Sequence, residues 1–303
     1  MIEAANIQEL LKEEGIQSRV VPVERVADLE ERIANHRQEG HLSAEIERRY
    51  FPYITFDPQK YLEGARSIII ASIPRPSTQA IFDWKGKSHH FLIPPTYSGN
   101  ASNLARIQTV LSELLYHDGF SVVPAPLPKK LLAVCSGLGE YGRNNICYVP
   151  GFGSYHQLVA FYTGLPCSES YWREPVMMAV CRHCLACMLE CPSGAITDEH
   201  FALRAERCIT FFNENSGPLP IWFDQSWMDC LAGCLHCQRV CPENAKFIHW
   251  VGETEMFAEE ETAMLLQGPA VSEVPAETKA KLERLELFEM EIIPRNLRIL
   301  LKE

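Results

Sequence analysis

No stretch of 18 apolar residues occurs in this chain, so no single helix is expected to span a bilayer. A basic excess is missing as well. Lys and Arg number 28 against 39 Asp and Glu, a net charge of −11. A general nucleic-acid binder carries a basic face, so that class is not expected. The opening Met1-Ile2-Glu3-Ala4 lacks the basic-then-apolar order of a secretory signal, and a cytoplasmic location is expected. Low-complexity tracts are absent. With 47% hydrophobic and 22% charged residues the balance is globular, which excludes a disordered chain. A length of 303 residues suits one large domain or two modest ones, with a core that needs no staples.

Cysteine is the residue in excess. There are twelve, and nine of them lie between Cys181 and Cys241. A reducing compartment disfavours structural disulfides, so this density points to metal. Cys181-x2-Cys184-x2-Cys187-x3-Cys191-Pro192 is the bacterial ferredoxin spacing for a 4Fe–4S cluster. Three thiolates on one tight loop reach three corners of a cubane. The fourth points to the other cluster, and Pro192 directs the chain out of the loop. Cys234-x2-Cys237-x3-Cys241-Pro242 repeats the pattern without its first cysteine. Reciprocal ligation then gives Cys181, Cys184, Cys187 and Cys241 to one cluster and Cys191, Cys234 and Cys237 to the other, whose fourth ligand is Cys208 or Cys230. Zinc would need two closed four-ligand sets, and endings of the x3-C-P type are not its habit. Cys135, Cys147 and Cys167 stand alone and read as buried small hydrophobes. His183 and His236 read as hydrogen-bonding loop residues within the cluster loops.

Elsewhere the pattern is coarser. Residues 5–39 read as helical with a break at Gly15, 41–60 as irregular, and 67–72 as a buried strand. The segment 74–99, with prolines at both ends, reads as an extended loop. A helix is expected over 101–117 and another over 129–135, with strands at 121–123, 146–149 and 158–162. Short helices are expected over 175–250, an acidic segment over 253–262, and terminal helices over 276–302, interrupted at Pro294. The alternation between 67 and 165 predicts an α/β or α+β layer.

Gly137-Leu138-Gly139-Glu140-Tyr141-Gly142-Arg143-Asn144 contains G-x-G-x-x-G. It follows a helix rather than a strand, which is the wrong context for a dinucleotide site. Further on come Pro150, Gly153-Ser154 and Thr163-Gly164-Leu165-Pro166, and then the doubled cysteine pattern. This order resembles the epoxyqueuosine reductases and, through Gly139-Glu140-Tyr141-Gly142-Arg143, the reductive dehalogenases. Both are cobalamin-dependent iron–sulfur reductases. The resemblance runs over about residues 62–250, with a weaker echo at Arg295-Asn296-Leu297.

The resemblance implies an α+β protein: a nitroreductase-like α/β layer binding the corrinoid over 1–170, a ferredoxin-like double-cluster domain over 171–250, and a helical tail over 251–303. It implies two 4Fe–4S clusters and cobalamin as cofactors. It selects Cys208 over Cys230, because Glu206-Arg207-Cys208-Ile209 matches a ligand segment of epoxyqueuosine reductases. Gly137, Gly139, Gly142, Arg143, Asn144, Gly153 and Ser154 become the expected corrin site. Tyr97 and Tyr141 are candidate proton donors. One departure stands out: the proton-donor aspartate of epoxyqueuosine reductases falls at Val123, with Val122 and Pro124 beside it. Valine transfers no proton, so tRNA is not the expected substrate. Respiratory dehalogenases carry a twin-arginine export signal; Arg48-Arg49 is internal and no apolar run follows it, so that role is not expected. The expected activity is a reductase passing low-potential electrons through the clusters to a corrinoid. The expected donor is a ferredoxin or flavodoxin, and a corrinoid protein is a further partner. An accessory protein that reduces or processes corrinoid, and a ferredoxin-like electron carrier without corrin, are the alternatives.

Overall fold

The computed structural model describes residues 3–96, 100–168, 171–198, 203–287 and 290–303. The strands are β1 (Gln17–Pro22), β2 (Ser67–Pro74), β3 (Ser77–Trp84), β4 (Lys87–Ile93), β5 (Val122–Pro124), β6 (Glu140–Tyr141), β7 (Cys147–Tyr148), β8 (His156–Thr163) and β9 (Val251–Phe257). The chain forms two compact units. One is built mainly from residues 1–74 and 101–184, the other from 75–100 and 185–303.

In the first unit β1-β2-β8-β5 form an antiparallel sheet. Strand β2 is buried along nearly its whole length, which explains its unbroken apolar run: both faces are covered. Ile68 and Ile70 pack with Val26 and Leu29 of helix Arg25–Gln38 and with helix Lys129–Cys135. Ile69, Ala71 and Ile73 face the other way, onto Ile7 and Leu11 of helix Ala4–Glu13 and Ile107, Leu111 and Leu115 of helix Asn100–Tyr116. The unit is a three-layer α/β/α sandwich. Strand β1 corrects the expected helical run over 5–39. Val20 and Val21 alternate between the two faces, a period-two signal masked by helical patterns on either side. The expected irregular stretch over 41–60 contains helix Ala44–Tyr50.

In the second unit β3 and β4 form a hairpin, and β9 joins β3 in parallel. The expected loop over 74–99 is corrected by this hairpin. Its turn, Lys85-Gly86, has positive φ at both residues, the geometry that matches strand twist across a two-residue loop. The prolines flank the hairpin. Phe82 stacks on Phe257 at 4.5 Å, and helices Glu259–Gln267, Ala276–Arg284 and Ile292–Leu301 complete this core. Pro294 does not interrupt the last helix. It sits in its first turn, where a missing N–H costs nothing. Within this unit residues 75–100 group with the C-terminal segment. Among the described residues no helix is long and apolar enough to cross a membrane.

Candidate iron–sulfur centre

The cysteine segment contains little regular structure. Helices Ala186–Glu190 and His236–Arg239 each begin inside a C-x2-C loop and pack on each other. Helices this short do not repay their nucleation alone, so tertiary contacts and ligation must hold them. Each arm leaves its helix in the same way. Cys191 (φ −73°, ψ 103°) and Cys241 (φ −74°, ψ 122°) are extended, the conformation a following proline requires.

Cys208 enters on a third arm, as the extended residue preceding helix Ile209–Asn213. Burial pushes its thiol up, Thr210 draws it back by hydrogen bonding, and Cys191 is near enough to raise it further. Burial likewise pushes the Cys234 thiol up, with Asp229, Cys237 and Cys230 adding to the effect. The second unit therefore brings Cys191 to Cys208 and Cys234 to Cys237. Cys230 also neighbours Cys234, but it is fully buried and engaged with the Asp229 side chain, which Arg239 pairs at 2.6 Å. His236 has its Nε2 3.0 Å from the Trp227 carbonyl, as a loop-bracing residue would.

Two buried asparagines tie these arms together. Asn213 donates through Nδ2 to the Gly233 carbonyl and accepts the Gly233 N–H at 3.0 Å, one residue before Cys234. Asn296 donates to the carbonyls of Asn213 (2.7 Å) and Leu231 (2.9 Å). Its neighbour Arg295 donates to the carbonyls of Phe212 (2.7 Å), Asn215 (3.0 Å) and Gly217 (2.7 Å). Short helices leave carbonyls unpaired, and these side chains supply the missing donors. The echo at Arg295-Asn296-Leu297 carried this signal in the sequence, while Asn213 carried none.

The glycine segment performs a similar service in the first unit. Gly137 (φ +72°) closes helix Lys129–Cys135, with Leu138 N–H bonded to the Ala133 carbonyl at 2.9 Å. A Cβ on Gly139 would stand 2.7 Å from the Tyr148 carbonyl, and one on Gly142 2.6 Å from the Tyr148 ring. The close approach that this spacing encodes is between β6 and β7 of the chain itself. Asn144 is buried, donating to the Tyr148 hydroxyl at 3.0 Å and accepting the Ile146 N–H. Arg143 donates from Nη2 to the Cys181 carbonyl (2.6 Å) and from Nε to the Cys184 carbonyl (3.2 Å). Tyr141 pairs with the backbone at Val176 and Met178, and Arg173 donates to the Gly139 carbonyl at 3.0 Å.

The hydrogen bonds of Arg143 and Asn144 brace the first cluster loop and the β6–β7 turn. Gly153 (φ +57°) closes a tight turn after Val149, and Ser154 beside it is buried. Tyr141 is buried, and burial drives its hydroxyl far above the ordinary tyrosine range. Tyr97 lies outside the described residues. Val123 stands in β5 opposite Tyr162 of β8.

Residues 180–244 match the family described as a 4Fe-4S double cluster binding domain. An epoxyqueuosine reductase of Bacillus anthracis is 27% identical over 224 residues, 68% of this chain and 54% of that protein. The chain spans about half the length of this curated relative. An epoxyqueuosine reductase of Bacillus subtilis, solved with its catalytic aspartate loop swung out of the active site, superposes with a TM-score of 0.70 at 22% identity, covering 99% of this chain and 82% of the other. An epoxyqueuosine reductase solved with an epoxyqueuosine-modified tRNA stem loop gives 0.67 at 21%, with coverages of 99% and 82%. The chain carries a double 4Fe–4S cluster domain, resembles the epoxyqueuosine reductases in sequence and has their fold.

Proposed function

We propose that this chain is an iron–sulfur reductase that carries low-potential electrons through two 4Fe–4S clusters to a corrinoid. The doubled cysteine pattern within the double-cluster domain carries the reading. Cys181, Cys184, Cys187 and Cys241 hold one cluster, and Cys191, Cys208, Cys234 and Cys237 hold the other. The donors fit such clusters: all are thiols, and the Asn213 and Asn296 bonds tie the segment after Cys208 to the segment before Cys234. Bound 4Fe–4S clusters supply one-electron steps at potentials that reach far below those of ordinary thiol couples. The chain's own part is to fix the loops and keep water from them. Arg143 does so for Cys181 and Cys184, through its planar fork.

Cobalamin, the acceptor that the resemblance implies, would supply a low-valent cobalt when bound. No side chain of the glycine segment is assigned to holding it. The three-layer first unit supports the finer, nitroreductase-like reading of that layer. Val123 takes the aspartate's position, and residues 122–124 offer no carboxylate to hold a proton. With the net charge of −11, this favours a small or protein-bound corrinoid over tRNA, although one solved relative is seen with a tRNA stem loop. The electron donor is a cytoplasmic ferredoxin or flavodoxin. The second reading, electron transfer without corrin, is favoured by the internal hydrogen bonds of Arg143 and Asn144.

Anaerobic iron and sulfide analysis followed by cobalamin titration tests both readings. About eight irons per chain with cobalamin binding supports the first. Full clusters without binding at high micromolar cobalamin leaves the second, and two zinc ions without iron sinks both. Rapid conversion of epoxyqueuosine-modified tRNA by the purified protein would overturn the choice of substrate.

A further inference from the structure

Helix Arg25–Gln38 ends in a side-chain cluster that the iron–sulfur chemistry does not use. Glu39 follows as its cap residue, and Gly40, at φ +72°, turns the chain back. The His41 N–H reaches the His36 carbonyl at 2.9 Å, the bond pattern of a left-handed helix stop. This closure folds His41 over the last turn, where His36 and Glu39 already share a face three residues apart. The Nδ1 atoms of His36 and His41 lie 3.4 Å apart. The Glu39 Oε2 lies 3.1 Å from His41 Nδ1 and 3.8 Å from His36 Nδ1.

We propose that His36, Glu39 and His41 form a three-ligand site for a zinc ion. Ligand atoms held at about 2.0–2.1 Å around a tetrahedral zinc stand about 3.3 Å from one another. The three observed edges bracket that value. A hydrogen bond between the rings accounts for the geometry less well, because 3.4 Å is long for an N–H donor and its acceptor. Two imidazoles and one carboxylate suit zinc among the common divalent ions. Calcium and magnesium call for oxygen ligands throughout. Both rings are partly exposed and Glu39 is exposed, so the fourth position is open to water. Arg32, one turn before His36, is the nearby cation, and Glu174 pairs it through both carboxylate oxygens.

The test uses cluster-loaded protein under anaerobic conditions, so that the eight ligand cysteines are filled. It is dialysed against micromolar Zn2+ and the retained zinc is counted. One additional zinc per chain is expected. His36→Ala and His41→Ala should each weaken retention by about tenfold or more, and Glu39→Gln by less, with iron content unchanged. Crystals soaked in Zn2+ give a check independent of any variant, an anomalous peak between the two rings. Wild-type protein that retains no zinc overturns the proposal, as does equal retention by the His36→Ala/His41→Ala double variant.

Discussion

The sheet of the first unit and the cysteine arms of the second hold their shape by different means. Strand β2 is paired on both sides and buried on both faces, so backbone ladders and apolar contacts fix it. The arms carrying Cys191, Cys208 and Cys234 have helices of four or five residues and few ladders. Carbonyls of the Cys208 and Cys234 arms are paired instead by Asn213, Arg295 and Asn296. A hydrophobic layer tolerates substitution by similar volumes. An arm held by single buried amides and by ligation has no such reserve. The difference teaches where the molecule breaks: by repacking in the sheet, and by loss of one donor or one ligand in the arms.

The sharpest break is Cys208→Ser. It should remove one cluster, taking iron from about eight to about four per chain, while Cys230→Ser keeps both clusters. Anaerobic iron analysis decides this, and loss of iron from Cys230→Ser alone would reverse the ligand assignment. Next comes Asn296→Ala, which strands the buried carbonyls of Asn213 and Leu231. Each stranded group costs about 1–3 kcal/mol, so denaturant unfolding should show a loss of about 2–6 kcal/mol and faster release of iron from one cluster.

The same contrast governs what could be read in the sequence. The ligand cysteines were legible because cubane geometry dictates spacing, and spacing survives without a structure. Strand β2 was legible because burial on both faces leaves an unbroken apolar run. The β3–β4 hairpin was not, because Pro74, Pro76, Pro94 and Pro95 mark a loop by composition while only flanking the strands. The bracing bonds of Arg143 to the Cys181 and Cys184 carbonyls were not legible. A guanidinium that braces carbonyls near its cysteines looks, in sequence, like one that waits for a ligand. Asn213 was invisible, since one asparagine in a short helix carries no pattern.

A third test returns to the glycine segment. Were Gly139 there to admit a corrin, its replacement would spare the fold. The Tyr148 carbonyl, 2.7 Å from the added Cβ, is backbone and cannot swing away. Gly139→Ala should therefore lower stability by about 1–3 kcal/mol even with no corrinoid present. Thermal unfolding of protein never exposed to cobalamin checks it, and an unchanged midpoint would return the glycine to a binding role.

The smallest effect is expected from His156, in the sheet. It is buried in β8, where its Nε2 donates to the Cys147 carbonyl at 2.9 Å, and its Nδ1 has no partner among the described residues. Burial, only partly offset by that hydrogen bond, pushes the imidazole down to about 4. The folded chain thus keeps this ring neutral while the unfolded chain protonates it near 6.5. Between these values the unfolded state binds more protons, so stability is full above about pH 6.5 and falls as the pH drops toward 4. Between pH 7 and 5.5 the loss is about 1 kcal/mol. His156→Gln removes the titrating group and can still donate to Cys147. Acid loss of the clusters affects both proteins, so the difference between their unfolding midpoints isolates the ring. The wild type should lose stability more steeply below pH 6.5, and parallel profiles would show that His156 is not held neutral by the sheet.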